Sequence, residues 1–357
     1  MRTEVARFFT QSPADMSGLV DAIAREEIHP QNIVAIIGKT EGNGGINDFT
    51  RNLSIQALGY LLAPFLDCLP EQVEERIVLS FSGGSEGVTA PHLLVFSVIG
   101  QPSTLKRSSK RLAIATGSSR NFSPDEVGRM AMIHETARVV VNLMQELRVT
   151  ADDVHLVQIK AAIPPVSSPA TALRCDMAWS RAASALGVAL ALGEISENQL
   201  SDAAIQSDWS LYSSRASVSA KPCLIRSEII LFANSDCWEG DLAIAHGLMR
   251  DIIDVPSIYG VLKQLGIKPV NGQLTAGDSK KIVGVFAKSD AHPGNYIRNR
   301  RHTMWTDADI SDMRYSRCVV AALLAGVLGD TGVYVSTRAE HQGPQGGGPV
   351  AIIGIAP

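Results

Sequence analysis

The sequence predicts an α/β (α+β) fold made of three homologous αβ repeat units around a pseudo-threefold axis. Three observations carry this. One helix-then-strand pattern occurs three times, each strand ends in a lysine, and an arginine and then a serine follow each lysine in the same order.

In the first copy a helical segment from Ser17 to Arg25 precedes an apolar run from Asn32 to Lys39. The second places a helix over Thr136–Leu147 and a run over Asp153–Lys160. The third places a helix over Pro256–Gly266 and a run over Lys281–Lys288. Each run is short, continuous and rich in Ile, Val and Ala, as a strand buried on both faces should be. Arg51, Arg181 and Arg317 each open a helix of small and apolar residues. Ser82, Ser219 and Ser336 each lie in or just after a further β-type segment. The lysines are 121 and 128 residues apart, the arginines 130 and 136, and the serines 137 and 117. Three residue types recurring in one order are far harder to obtain by chance than one.

Boundaries follow from composition. Gln101–Arg111 is polar, basic and carries Pro102, so it reads as a linker. A softer boundary falls near Asp251–Pro256, because Ala243–Ile253 reads as helix. The expected units are residues 1–104, 112–250 and 255–357. A Gly-rich loop over Gly343–Pro349 precedes a strand over Val350–Ile355.

Of the 357 residues 45% are hydrophobic and 19% charged, enough for a sizeable core. A net charge of −4 offers no basic field for nucleic acid or anionic lipid. The N-terminus lacks the layout of a signal peptide, and the longest apolar stretch, Val319–Leu328, is far short of a membrane span. A cytoplasmic protein with no membrane or nucleic-acid partner is expected. The cysteines (Cys68, Cys175, Cys223, Cys237 and Cys318) are odd in number and never spaced as CxxC, and no histidine pair has HExxH spacing. Neither a disulfide framework nor a catalytic zinc is indicated.

Gly38-Lys39-Thr40 resembles the end of a phosphate loop, but Ile33 occupies the position of its first glycine. Gly83–Gly87 matches the GxSxG nucleophile elbow around Ser85, yet Ser82 is the serine in register with the repeat. A lysine ending an apolar strand normally reaches for solvent. Three at one repeat position point instead to one central active site. There a poorly solvated lysine beside arginines loses its preference for the ammonium form and can accept a serine proton. The arginines would hold ring or carbonyl oxygens, and the small residues Gly83 and Ala220 would leave backbone N–H groups free for an oxyanion. A small, flat ligand of threefold character suits such a cleft. No organic cofactor is called for.

At these residues the chain resembles the cyanuric acid hydrolase/barbiturase family along essentially its whole length. The most specific segments are Gly38–Arg51, Ser82–Gly87, Asp208–Leu211, Arg301–Met304 and Ala339–Pro349. The resemblance implies hydrolytic opening of the cyanuric acid ring to 1-carboxybiuret, which decarboxylates to biuret. The nearest alternative is opening of barbituric acid to ureidomalonate; a non-catalytic binding protein for a small heterocycle is the other. It implies Lys160 as base and Ser219 as nucleophile, with Ser217 as rival. Ser82 with Lys39, Ser336 with Lys288, the three arginines, and the neighbours Gly83, Ala220 and Thr337 would bind substrate. It also implies a structural Mg²⁺ or Ca²⁺ on Asp290 and oxygens of Ala339, Gln342, Gly343, Pro344 and Gly347, and a homo-tetramer. Two departures stand out: Asp290 replaces a usual glutamate, and Thr337-Arg338 replaces a usual Gly-Gly.

Overall fold

The computed structural model describes residues 1–101, 105–166 and 173–356. Residues 102–104 of the expected linker, and residue 357 at the end of the expected third unit, lie outside the described residues.

The apolar runs form strands and the periodic segments form helices, in an order that recurs. The first stretch holds β1 (Arg2–Phe9), α1 (Ser17–Ala24), β2 (Ile33–Thr40), α2 (Thr50–Leu66), the single turn α3 (Val73–Arg76), β3 (Val78–Gly83) and β4 (His92–Ile99). The second holds β5 (Arg111–Ser118), α4 (Met130–Leu147), β6 (Val154–Ile163), α5 (Met177–Ala191), β7 (Ala216–Pro222) and β8 (Glu228–Ser235). The third holds β9 (Leu242–Met249), α6 (Val255–Gln264), the short α7 (Ala276–Ser279), β10 (Ile282–Ser289), a hairpin of β11 (Tyr296–Ile297) and β12 (Arg300–Arg301), α8 (Asp312–Leu328), β13 (Tyr334–Thr337) and β14 (Gly348–Ile355).

Three four-stranded sheets result, ordered β1-β4-β2-β3, β5-β8-β6-β7 and β9-β14-β10-β13. In each, the first strand runs antiparallel to the last, the last antiparallel to the second, and the second parallel to the third. The third strand of every set is therefore a free sheet edge, with backbone groups outside the ladder. The β-strand over residues 350–355 stands where it was expected, within β14.

One expectation fails. Residues 242–249 are not helical and do not close the second stretch; they form β9, an edge strand paired with β14. Ile244 faces a different hydrophobic cluster from Ala243, Ala245 and Met249, the alternation of a strand buried on both faces. Ala and Leu carried the helical reading, and ladder pairing overrode that propensity.

The inner faces of all three sheets share one core. Phe96 (β4), Phe232 (β8), Phe286 (β10) and Tyr334 (β13) form an aromatic chain through it, with ring centroids 5.2, 5.9 and 5.7 Å apart. The outer faces pack under helices: β2 and β3 under α1 and α2, and β10 and β13 under α6 and α8. The strands thus read as continuous apolar runs because both faces are covered. No single helix among the described residues is long and apolar enough to cross a membrane.

Candidate active site

Each lysine lies in the C-terminal half of the second strand of its sheet, and the parallel third strand sets a serine directly across from it. The register pairs are Lys39 with Ser82, Lys160 with Ser219 and Lys288 with Ser336. Register partners share a sheet face, so every Nζ lies near its Oγ: 3.5 Å for Lys39, 2.7 Å for Lys160 and 3.2 Å for Lys288. Ser217 pairs with Gln158 and not with Lys160, and its buried Oγ has no partner.

All three serines open on one pocket of 380 Å³, and Gly83, Ala220 and Thr337 line it beside them. Arg51, Arg181 and Arg317 line it too, carried on the N-terminal turns of α2, α5 and α8. The lysines sit behind the serines, buried. Ser85 of the GxSxG pattern does not line the pocket, whereas Ser82 does.

The sheets interlock around this pocket. Lys160 donates to Phe81 O of β3 at 2.6 Å, and Lys39 donates to Val335 O of β13 at 2.5 Å. Val218 N of β7 donates to Gln342 Oε1 at 2.7 Å. In this way each free edge strand meets a polar group carried by another stretch of chain, which satisfies backbone atoms that the ladder leaves open. Two of the arginines cross between stretches as well, while Arg51 stays with Gly45 and Asp48 of its own. Arg317 Nη1 donates to Gly83 O at 2.6 Å, and Arg181 makes a bidentate pair with Glu340 at 2.8 and 2.7 Å.

Burial and these crossings depress the lysines. Burial comes first in holding Lys39 well below the ordinary lysine value, with Arg317 second; Lys160 is likewise held well down by burial and then Arg51. Lys288 is lowered to about 7 by burial and then Arg181. Desolvation disfavours the ammonium, and a neighbouring cation disfavours it further.

Three residues that the sequence reading did not single out anchor the arginines. Asp48 lies 3.7 Å from Arg51, Glu86 3.0 Å from Arg317 Nε, and Glu340 pairs with Arg181. All three fall inside the segments that carried the family resemblance, so the signal was present but unassigned. Arg338 was named only as a departure; it lines the pocket, pairs with Asp312 at 2.8 Å, and lies over the Trp305 ring.

Of the expected cation ligands, Asp290 lies near Lys288 and Glu340. Asp290 Oδ1 is buried without a partner, and burial, then Glu340, pushes its carboxyl up to about 7. Gln342 Oε1 is occupied by Val218, which leaves its backbone oxygen. Ala339 O and Pro344 O each accept one N–H, from Gln342 and Gly347. No group of three or more His, Cys, Asp or Glu gathers at one point among the described residues; most of the expected ligands are backbone carbonyls, which such a group does not include.

The "Amidohydrolase ring-opening protein" family model matches residues 4–354. The chain is 42% identical to a cyanuric acid amidohydrolase of Enterobacter cloacae, covering 99% of each chain. It is 43% identical to one of Bradyrhizobium diazoefficiens, over 98% of this chain and 97% of the other. A cyclic amide hydrolase of Azorhizobium caulinodans is 37% identical over 99% of each. Among solved structures, one cyanuric acid hydrolase superposes with a TM-score of 0.90 at 40% identity, and a cyanuric acid hydrolase from A. caulinodans with 0.86 at 39%, each covering 99% of both chains. The chain belongs to the ring-opening amidohydrolase family.

Proposed function

We propose that this protein is a cyanuric acid amidohydrolase in which Lys160 and Ser219 open the triazine ring. The observation that carries the reading is the convergence of three lysine-backed serines and three arginines on one pocket. Three like sets suit a flat ring presenting three like carbonyls. The recurring strand order supports three repeat units around a pseudo-threefold axis, with joints at residues 101–110 and 236–241 once β9 is counted with the third sheet.

The hydrogen-bond inventory favours the second dyad. Lys39 Nζ faces two carbonyls, Gly83 O and Val335 O, besides its serine; Lys288 faces Thr337 O and Arg338 O besides its own. Three acceptors suit an ammonium, which has three donors. Lys160 faces one carbonyl and Ser219, so a neutral amine there keeps its lone pair for the hydroxyl proton. Lys160 takes the Ser219 proton as Oγ attacks a ring carbonyl, then returns it to the departing ring nitrogen as the C–N bond breaks. A water, deprotonated by Lys160, releases 1-carboxybiuret, which loses CO₂ to give biuret. Ser82 with Lys39, Ser336 with Lys288, and the arginines polarise and hold the remaining oxygens.

A structural Mg²⁺ or Ca²⁺ fits the orphaned Asp290 Oδ1 with oxygens of Ala339, Gln342, Gly343, Pro344 and Gly347, supplying the positive charge that buried carboxyl lacks. A cytoplasmic homo-tetramer completes the reading, on family likeness.

Assaying cyanurate and barbiturate side by side tests the function. Cyanurate should be opened with release of biuret and CO₂; rapid turnover of barbiturate with none of cyanurate would overturn the choice. Lys160→Ala and Ser219→Ala should each lose turnover roughly 10,000-fold or more, while Ser82→Ala should chiefly raise KM. Turnover that survives in Lys160→Ala would remove the dyad from the mechanism, and binding without turnover in the parent would leave only a binding protein.

A further inference from the structure

The three lysine–serine pairs are alike in register but not in what backs them. Across the antiparallel ladder, Lys39 faces His92 and Lys160 faces Glu228. Beside Lys288 the chain is Gly348, whose added Cβ would lie 2.5 Å from Lys288 O, followed by Pro349. At this cross-strand position an acidic side chain therefore stands only beside Lys160, on the sheet face that also carries Ser219, whereas Lys39 and Lys288 meet carboxylates from other directions, Glu86 and Asp48 for the first, Glu340 and Asp290 for the second. Glu228 is 6% exposed.

We propose that Glu228 is a positioning residue for this reaction: its carboxyl, across the ladder from Lys160, tunes the proton affinity of that lysine and so sets the pH at which the dyad can act as a base. The inference rests on the reading of Lys160 as base. An anionic Glu228 raises the proton affinity of Lys160 against burial, Arg51, Lys221 and Lys288, all of which lower it. Lys39 and Lys288 have no carboxylate at the corresponding place.

Glu228 is itself tuned from the protein surface. Burial and then Glu74 push its carboxyl up to about 7, opposed by Lys221, Arg226 and Lys160. Lys221 lies two residues past Ser219 on β7 and pairs with Glu74 of α3 at 2.9 Å. Both line a separate pocket of 370 Å³ open to solvent. A file of charges, Lys160, Glu228, Lys221 and Glu74, thus runs from the dyad to water through a pocket other than the one the three serines line.

The test is the pH profile of kcat/KM for cyanurate in Glu228→Gln, Glu228→Asp and Glu74→Gln, each checked for folding by circular dichroism. Removing the Glu228 charge lowers the proton affinity of Lys160, so Glu228→Gln should move the acid limb about 0.5–1 unit to lower pH, with KM within about twofold of the parent. Glu74→Gln should move it the other way, because Glu228 then ionises more readily. Glu228→Asp should stay near the parent. A Glu228→Gln profile superimposable on the parent's, or shifts of one sign with equal losses in all three variants, would overturn the proposal. Should Glu228→Gln not fold, Glu74→Gln, whose side chain is partly exposed, decides alone: an unmoved limb rejects it. An active Lys160→Ala variant would reject the dyad itself, a failure distinct from an inert Glu228.

Discussion

At the scale of single residues, the pocket depends on charges that are buried only because they are paired. Arg181 and Glu340 have side chains 8% and 12% exposed and meet through two parallel hydrogen bonds. Burial pushes the Glu340 carboxyl up, and Arg181 more than reverses this, leaving it below the ordinary value. Removing one partner strands the other without solvent, which costs about 3–5 kcal/mol for such a pair. Glu340→Ala should therefore lower the unfolding free energy by about that amount in urea titration, and it should also raise KM, because the freed guanidinium no longer holds its angle toward the pocket. A melting curve equal to the parent's would mean that Arg181 finds solvent or another acceptor. What the sequence told about this level was uneven. Lysines, arginines and serines stood out because each type recurs once per repeat. Their carboxylate anchors did not: Glu86 and Glu340 each lie four residues past a repeat serine, but Cys223 fills that place in the second unit, and Asp48 instead precedes its arginine by three residues. Neither did Glu228, whose meaning lies in a cross-strand register that only pairing reveals.

At the scale of elements, the chain after β3 turns where an arginine side chain packs against its backbone. Beyond β3 the chain turns through Gly84, at φ +91°, where an added Cβ would sit 1.6 Å from Arg317 Nη1. That left-handed conformation costs a non-glycine residue roughly 1–2 kcal/mol before any clash, and the guanidinium would also have to leave Gly83 O. Gly84→Ala should therefore destabilise by about 2 kcal/mol or more and raise KM for cyanurate at least about tenfold, with a smaller effect on kcat. Unchanged KM would mean that Arg317 does not touch substrate. The matching place after β13 is Arg338, at φ +64°, held by Asp312 and Trp305. Most of these elements were legible from apolar runs and turn residues. The failure at β9 shows the limit: an eight-residue stretch with apolar residues on both faces has no period of its own, and only its partner β14 fixes it as a strand.

At the scale of the whole molecule, three sheets meet in one core, so their joints are where the fold is open to challenge. One joint carries a half-buried pair of imidazoles. His155 of β6 and His246 of β9 lie with Nδ1 atoms 2.9 Å apart, and Asn234 donates to His155 Nε2 at 2.9 Å. Because His155 Nε2 accepts from Asn234, its Nδ1 must carry the proton and donate to His246 Nδ1, which leaves both rings neutral. Burial, then each histidine's cationic surroundings, lowers His155 to about 3 and His246 to about 4; Arg215 bears on both, with Glu194, Asp153 and Lys110 nearby. The linkage sign follows. In the unfolded chain these histidines bind a proton near pH 6.5, so between about 4 and 6.5 the unfolded state holds more protons and stability must rise with pH. Other buried groups add slopes of their own, Glu228 with the opposite sign, and a difference between variant and parent cancels them. His246→Gln should thus flatten the slope of unfolding free energy against pH by about one proton, or roughly 1.4 kcal/mol per pH unit, over this window and leave it unchanged above pH 7. Parallel slopes in urea titrations from pH 4.5 to 7.5 would show that the pair is already charged when folded, and that the joint between the second and third sheets does not set the acid limit of the fold.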